Sequence, residues 1–389
     1  MSGPFDVDLD TARQRRSLKW RRYPADVIPL WVAEMDFPPA LVITERLTGL
    51  LERGDFGYPP EPPETEAGEF RDAVAGWMNQ RHGWAVDPEM VSIVPDTMRV
   101  LEIAIDRFTE PGLPVVLTDP IYPPFRTVIE DAGRVPLWVP MVHNGRKWEL
   151  DLSALATAFA REEVRLYLHC NPHNPTGAVS SVEEMQSIDS LAEQHSVIVV
   201  SDEVHAGIGY GSRHTPFSVV TPTAAQRTIT ASAASKVFNF AGLRCAFAIA
   251  GSRDLHDRIR SVPLRQRKSI SLPGYEATIA AYTGGYPWLA DVNRHLEEMR
   301  DHAAARLAAI DPTLVPVVPE ATYLLWTDWR HLDLPPDAGS FLLERARVAL
   351  SPGGDFGPSG EGFLRFNFGT SRTILDQALD RVETVLAHG

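Results

Sequence analysis

Residues 114–118 (VPVVL), 164–170 (VRLYLHC), 196–203 (SVIVVSDE), 227–232 (RTITAS) and 245–250 (CAFAIA) form short apolar runs without clean polar–apolar alternation. Such runs predict strands covered on both faces. Helix-like segments lie between several of them, for example SSVEEMQSIDSLAEQH at 180–195. Alternating strands and helices predict an α/β fold, a mostly parallel sheet with helices on both faces. Further on, Pro287 is suited to the first turn of a helix. After it Trp288, Val292, Leu296, Met299, Ala303, Leu307 and Ile310 recur every three or four residues. That period predicts one long amphipathic helix. Beyond it, VPVVPEATYLLWTDW and GFLRFNFG read as strands of a smaller α+β domain. Residues 1–45 have no partner of their own and are expected to pack there. The expected division is a large domain over 46–286 and a small one formed by 1–45 and 287–389.

Composition narrows this picture only slightly. A chain of 389 residues exceeds a typical domain of ~100–200 residues, which agrees with two units. A formal charge of −14 disfavours nucleic acid and anionic membranes as partners. The opening MSGPFDVDLDTARQRR is polar, so neither a secretion signal nor a membrane span is expected, and the cytoplasm is the expected location. Cys170 and Cys245 sit at strand edges and are expected as buried thiols, not as a disulfide or metal site. The stretch from Pro59 to Glu69 is expected to be an acidic, proline-rich loop.

The unusual residues collect at strand ends, where ligands bind in open α/β sheets. VRLYLHC runs into NPHNPTG, SVIVVSDE into VHAGIGY, RTITAS into AASK, and VSIV into Pro95-Asp96-Thr97 at the head of TMRVLEIAIDRF. The chain has four lysines, and Lys19, Lys147 and Lys268 lie beside arginine or in polar segments, whereas Lys236 sits among apolar and aromatic residues. Desolvation lowers the pKa of such an amine and makes it nucleophilic toward an aldehyde. Asp202, at the end of a buried strand, needs a cationic partner, and a pyridinium nitrogen would serve. Asn174 offers an amide donor and Tyr122 a flat ring. The helix after Asp96 offers free N–H groups to a phosphate. Aldehyde, pyridinium, ring hydroxyl, flat face and phosphate are together the parts of pyridoxal 5′-phosphate.

Competing motifs fail in detail. GIGYGS places Ser212 where a dinucleotide fingerprint needs its third glycine. A serine–lysine hydrolase pattern would need serine at Ala233. Asp202, Glu203 and His205 suggest a metal, yet adjacent strand residues point to opposite faces, so no metal is expected.

CNPHNPTG (170–177), SDEVH (201–205), ASKVFNFAGLR (234–244) and FLRFNFG (363–369) occur in the order of the landmarks of the fold-type I class I/II aminotransferase group, which the chain resembles over nearly its whole length. RRSLKWRRYPADVIPLWVAEMDFPPA, FGYPP (56–60) and TYLLWTD (322–328) look like its cystathionine β-lyase or C–S lyase branch. The resemblance implies that Lys236 binds the cofactor aldehyde and moves the α-proton. It implies that Asp202 keeps the pyridine nitrogen protonated and that Asn174 bonds the phenolic oxygen. His205 stands where aminotransferases often carry a tyrosine contacting that oxygen. Tyr122 would stack on the ring, and the Thr97 and Met98 amides, Ser235 and Arg244 would surround the phosphate. Tyr58 would reach the phosphate of a neighbouring subunit, implying a homodimer. Arg365 would grip the α-carboxylate of an amino-acid substrate. Two departures concern the phosphate: Ala233 stands where many relatives have serine, with Ser232 one place earlier, and Asp96 repels phosphate unless it caps its helix and turns away.

The implied reaction is β-elimination from L-cystathionine or other cysteine S-conjugates, giving a thiol, pyruvate and ammonia. Transamination shares its early chemistry and is the alternative; a regulator that binds the cofactor and acts through a protein surface is a third. The loops WVAEMDF (31–37) and SPGGDFG (351–357) are candidates for the substrate pocket.

Overall fold

The computed structural model describes residues 3–60, 68–211, 214–263 and 269–388. The middle of the acidic loop (61–67), Ser212 and Lys268 lie outside the described residues. A two-residue strand, β1 (Ile28–Pro29), comes first. Then follow β2 (Val91–Val94), β3 (Pro114–Asp119), β4 (Val135–His143), β5 (Trp148–Leu150), β6 (Leu166–Cys170), β7 (Ile198–Asp202), β8 (Thr228–Ser232) and β9 (Ala246–Ala250). These eight make one sheet in the order β2-β9-β8-β7-β6-β3-β4-β5. The pairs β8–β7, β7–β6, β6–β3 and β3–β4 are parallel, while β9 is antiparallel to both of its neighbours and β5 to β4. The carboxyl ends of β2, β6, β7 and β8 therefore open on one edge, beside the start of β9.

The absence of a polar face has a direct cause. Val115, Leu117, Leu166 and Leu168 enter a core with Leu101, Ile105 and Ile129 of the helices on one side. Val116, Tyr167, Val197 and Val199 enter a second core with Phe159, Met185 and Ile188 on the other. Successive side chains alternate between two apolar layers, so both faces read as hydrophobic. The helix expected over 180–195 spans Val182–His195, with the Ser181 hydroxyl accepting from Glu184 N–H as its N-cap.

The predicted long helix is Tyr286–Ile310, and Val292, Leu296, Met299, Ala303 and Leu307 are its buried stripe. After it, β10 (Leu324–Asp328), β12 (Ser351–Pro352) and β13 (Phe363–Asn367) form an antiparallel sheet in the order β10-β13-β12, and β11 (Val348–Ala349) pairs in parallel with β1. One correction concerns VPVV at 315–318, which is irregular: Val315 is 65% and Val318 45% exposed. Pro316 and Pro319 lack the N–H groups a ladder needs, so the strand begins only at Leu324. A second correction concerns Lys19, which is fully buried and bonded to Asp36. Its polar neighbours in sequence conceal that Trp20 and Lys19 both turn inward.

Candidate active site

The edge where β2, β6, β7 and β8 end opens on a cleft with about 210 Å³ of free space. Thr97, Met98, Tyr122, Asn174, Asp202, His205, Ser235, Lys236, Arg244 and Arg365 all line it, so ten of the residues singled out in the sequence meet in one place. Tyr58 is the exception. It is fully exposed, on a stretch where Leu51 and Phe56 are also exposed, and it does not line the cleft of its own chain.

Each wall follows from local folding. The helix Thr97–Phe108 starts at the end of β2, and Asp96 Oδ1 caps it by accepting from Arg99 N–H at 2.9 Å. That cap leaves the Thr97 and Met98 N–H groups facing the cleft without intrahelical partners. Asp96 Oδ2 accepts from Arg244 Nη2 at 2.6 Å, so the aspartate is both a cap and a partner of the cleft's exposed arginine. The NPTG turn closes on Gly177 at φ +69°, where an added Cβ would lie 2.2 Å from Pro319 Cβ. Glycine alone lets the 319–321 segment pack against this turn, which carries Asn174.

Burial sets the electrostatics. Loss of hydration raises the Asp202 carboxyl to about 7, against hydrogen bonds from Val204 N–H and the Thr97 hydroxyl. Loss of hydration, reinforced by the Arg365 charge, lowers the Lys236 amine to about 8. The same desolvation lowers Arg365 to about 10 and holds His205 at about 3, a neutral imidazole whose buried Nδ1 has no hydrogen-bond partner. Burial also raises the Tyr122 hydroxyl. A buried carboxylate short of a cation, a desolvated amine, an unpaired imidazole nitrogen and a helix N-terminus fit the parts of pyridoxal phosphate.

Glu203, next to Asp202, points the other way, accepting from Ser201 Oγ at 2.9 Å, Phe217 N–H at 3.0 Å and pairing with His214 Nε2 at 3.0 Å. No cluster of three or more metal-ligating side chains occurs among the described residues. Ser232 does not replace the serine absent at 233, because its hydroxyl donates to Glu203 O at 3.3 Å. Cys170 and Cys245 are buried free thiols in the cleft wall, both raised by desolvation, Cys245 to about 12.

Several contributors were invisible in the sequence. Lys236 Nζ donates to Ala33 O at 2.8 Å, and Tyr323 OH donates to the same carbonyl at 3.3 Å. Arg365 donates through Nη1 to Asn174 Oδ1 at 2.9 Å and through Nη2 to Trp31 O at 2.7 Å and Ser351 Oγ at 3.3 Å, while stacking over Phe356 at 4.8 Å. Backbone carbonyls leave no residue-type signal. Trp31 and Ser351 nonetheless belong to the two loops marked as pocket candidates, and the fold brings both to Arg365.

Known proteins share this architecture. The chain is 36% identical to the cystathionine β-lyase PatB of Bacillus subtilis, covering 98% of this chain and all of that one. The crystal structure of a putative PLP-dependent β-cystathionase from Corynebacterium diphtheriae superposes with a TM-score of 0.93 at 32% identity, covering 99% of this chain and all of the other. Cystalysin from Treponema denticola, whose structure contains pyridoxal 5′-phosphate, matches at a TM-score of 0.93 and 26% identity over the full length of both. The sequence profile described as aminotransferase class I and II matches residues 26–382, and with that the chain belongs to the class I and II aminotransferase family.

Proposed function

We propose that this protein is a pyridoxal-phosphate-dependent C–S β-lyase that cleaves L-cystathionine and related cysteine S-conjugates to a thiol such as homocysteine, pyruvate and ammonia. The reading is carried by one desolvated amine, Lys236, sharing a cleft with the buried carboxylate of Asp202 and the buried fork of Arg365. When bound, pyridoxal phosphate supplies an electron sink for negative charge at the substrate Cα.

The chain's own groups do the rest. Arg365 binds the α-carboxylate in a two-bond fork, its plane fixed by Phe356, Trp31 O and Asn174. Lys236, with a pKa of about 8, is partly a neutral amine near neutral pH and takes the α-proton. Asp202 would hold the pyridine nitrogen and gain a counter-charge from its protonated form. Asn174 and neutral His205 would hold the phenolic oxygen, and Tyr122 would offer its ring face to the cofactor. The Thr97 and Met98 amides, Ser235 and Arg244 would hold the phosphate. The β-sulfur leaves with the C–S electron pair and is protonated; one water is consumed as the remaining fragment becomes pyruvate and ammonia.

The wholly exposed Tyr58, on a stretch of chain where Phe56 and Leu51 are exposed too, supports a homodimer in which Tyr58 enters the partner's phosphate site. Pairing of β1 with β11 supports grouping residues 1–45 with 287–389 as a small domain beside a large one over 46–286. Among the described residues no helix is long and apolar enough to cross a membrane, and a cytoplasmic location is part of the same proposal.

A single-turnover reaction with L-cystathionine tests the activity. Thiol and pyruvate in equal amounts support it. Stoichiometric pyridoxamine phosphate without pyruvate overturns it in favour of an aminotransferase.

A further inference from the structure

Residues 31–37 form a strap with no regular secondary structure, and its carbonyls are taken up in turn by side chains in and around the cleft. Trp31 O accepts from Arg365 Nη2 at 2.7 Å and Ser351 Oγ at 2.5 Å. Val32 O and Glu34 O accept from Asn367 Nδ2 at 2.5 and 2.8 Å. Ala33 O accepts from Lys236 Nζ at 2.8 Å. Met35 O and Phe37 O accept from Asn239 Nδ2 at 2.9 and 2.7 Å, and Asn239 Oδ1 accepts from Met35 N–H at 3.0 Å. The acceptors of Lys236 and Arg365 are thus carbonyls two residues apart on one piece of chain.

With no ladder of its own, the strap is held by side chains, and residues 15–20 grip it alongside Asn239 and Asn367. Asp36 Oδ2 accepts from Lys19 Nζ at 2.8 Å and Oδ1 from Trp20 Nε1 at 2.7 Å, with Lys19 and Asp36 both fully buried. Lys19 donates again to Glu34 O at 3.0 Å, and Arg15 Nη2 donates to Asp36 O at 2.6 Å. A buried ion pair adds little net stability, because desolvation offsets its attraction, but it is strongly directional. Four hydrogen bonds from three side chains, Arg15, Lys19 and Trp20, onto a single loop define a position, not merely a contact.

We propose that Lys19 and Asp36 are positioning residues for the cleft. They fix the strap so that the Ala33 and Trp31 carbonyls set the separation between the Lys236 amine and the Arg365 fork, and so between the proton acceptor and the carboxylate grip. This rests on the roles proposed above for Lys236 and Arg365.

The test uses the holoenzyme of Lys19→Met/Asp36→Leu, which removes both charges together and strands neither. Trp20→Phe, which removes one donor from Asp36, is the second variant. The readouts are melting temperature, KM and kcat for L-cystathionine, and the Kd of an α-methyl amino acid, which has the carboxylate but no α-proton. The expected result is a rise of about tenfold in KM and Kd for the double variant and about threefold for Trp20→Phe, with kcat falling as well because the α-proton is misplaced from Lys236. Unchanged Kd in a folded double variant overturns the inference, whether or not its melting temperature falls. Should the double variant not fold, unchanged Kd in Trp20→Phe overturns it equally. Borohydride reduction of the unsubstituted holoenzyme keeps the two readings apart: failure to label Lys236 there sinks the proposed function, whereas labelling with an unchanged Kd sinks only this inference.

Discussion

Arg365 Nη1 donates to Asn174 Oδ1 at 2.9 Å, deep in the cleft. Because the Asn174 oxygen is occupied by that donor, its NH₂ group is the end left to donate toward a ligand. In the roles proposed for Arg365 and Asn174, substrate grip and cofactor contact share this one orienting bond. Asn174→Ala should loosen both, raising KM about tenfold through a freed guanidinium and shifting the absorbance of the bound cofactor. Steady-state kinetics with a visible spectrum check it; a spectral shift with unchanged KM would separate the two roles.

Arg365→Lys keeps the charge and loses the fork. A lysine cannot hold Asn174 and Trp31 O while presenting two parallel N–H groups to a carboxylate. The expected outcome is a KM raised about 100-fold, with a smaller loss in kcat. Equal losses in both constants would mean that the arginine acts chiefly after binding.

Asp202 predicts a pH-dependent stability. Burial raises its carboxyl from 3.8 to about 7, above its value in the unfolded chain. The folded cofactor-free protein thus holds a proton that the unfolded chain releases, and this contribution to stability is complete at about pH 4 and gone once pH passes about 7. Asp202→Asn removes the titration. Cofactor-free Asp202→Asn should melt above the unsubstituted protein at pH 8, the advantage shrinking toward pH 4. In the holoenzyme the amide cannot supply the charge for a pyridinium, and pyruvate release should fall at least about 100-fold. A melting difference independent of pH would refute the electrostatic account.

Much of this was legible because fold and chemistry left signals in residue type. Val115 and Val116 face different apolar cores, so the strands could be read from unbroken hydrophobic runs. Lys236 stood out because its neighbours are apolar, and motif order linked it to Asp202, Asn174 and Arg365. Lys19 did not stand out, because Arg21, Arg22 and Arg16 surround it in sequence while its partner Asp36 arrives only through folding. Ser232, adjacent to the position that lacks serine, turned to Glu203 for a reason that lies in the register of β8, not in its own identity. The strap's contribution is main-chain carbonyl, and any residue types at 31 and 33 would spell it alike.

The phosphate end carries the last prediction. Arg244 and Asp96 pair at 2.6 Å with side chains 63% and 40% exposed. An exposed pair of this kind is worth ~0–1 kcal/mol, so Arg244→Ala should melt close to the unsubstituted protein. Its effect on cofactor binding should be larger, since it removes a cation from the proposed phosphate site and leaves Asp96 uncompensated there. A Kd for pyridoxal phosphate raised about tenfold is expected. Adding Asp96→Asn, whose amide oxygen can still cap Arg99 N–H, should recover part of that loss by removing the repulsion. Spectroscopic titration of the three proteins decides the matter: an unchanged Kd in Arg244→Ala places the phosphate elsewhere, and no recovery in the double variant means that Asp96 is already turned far enough away to be harmless.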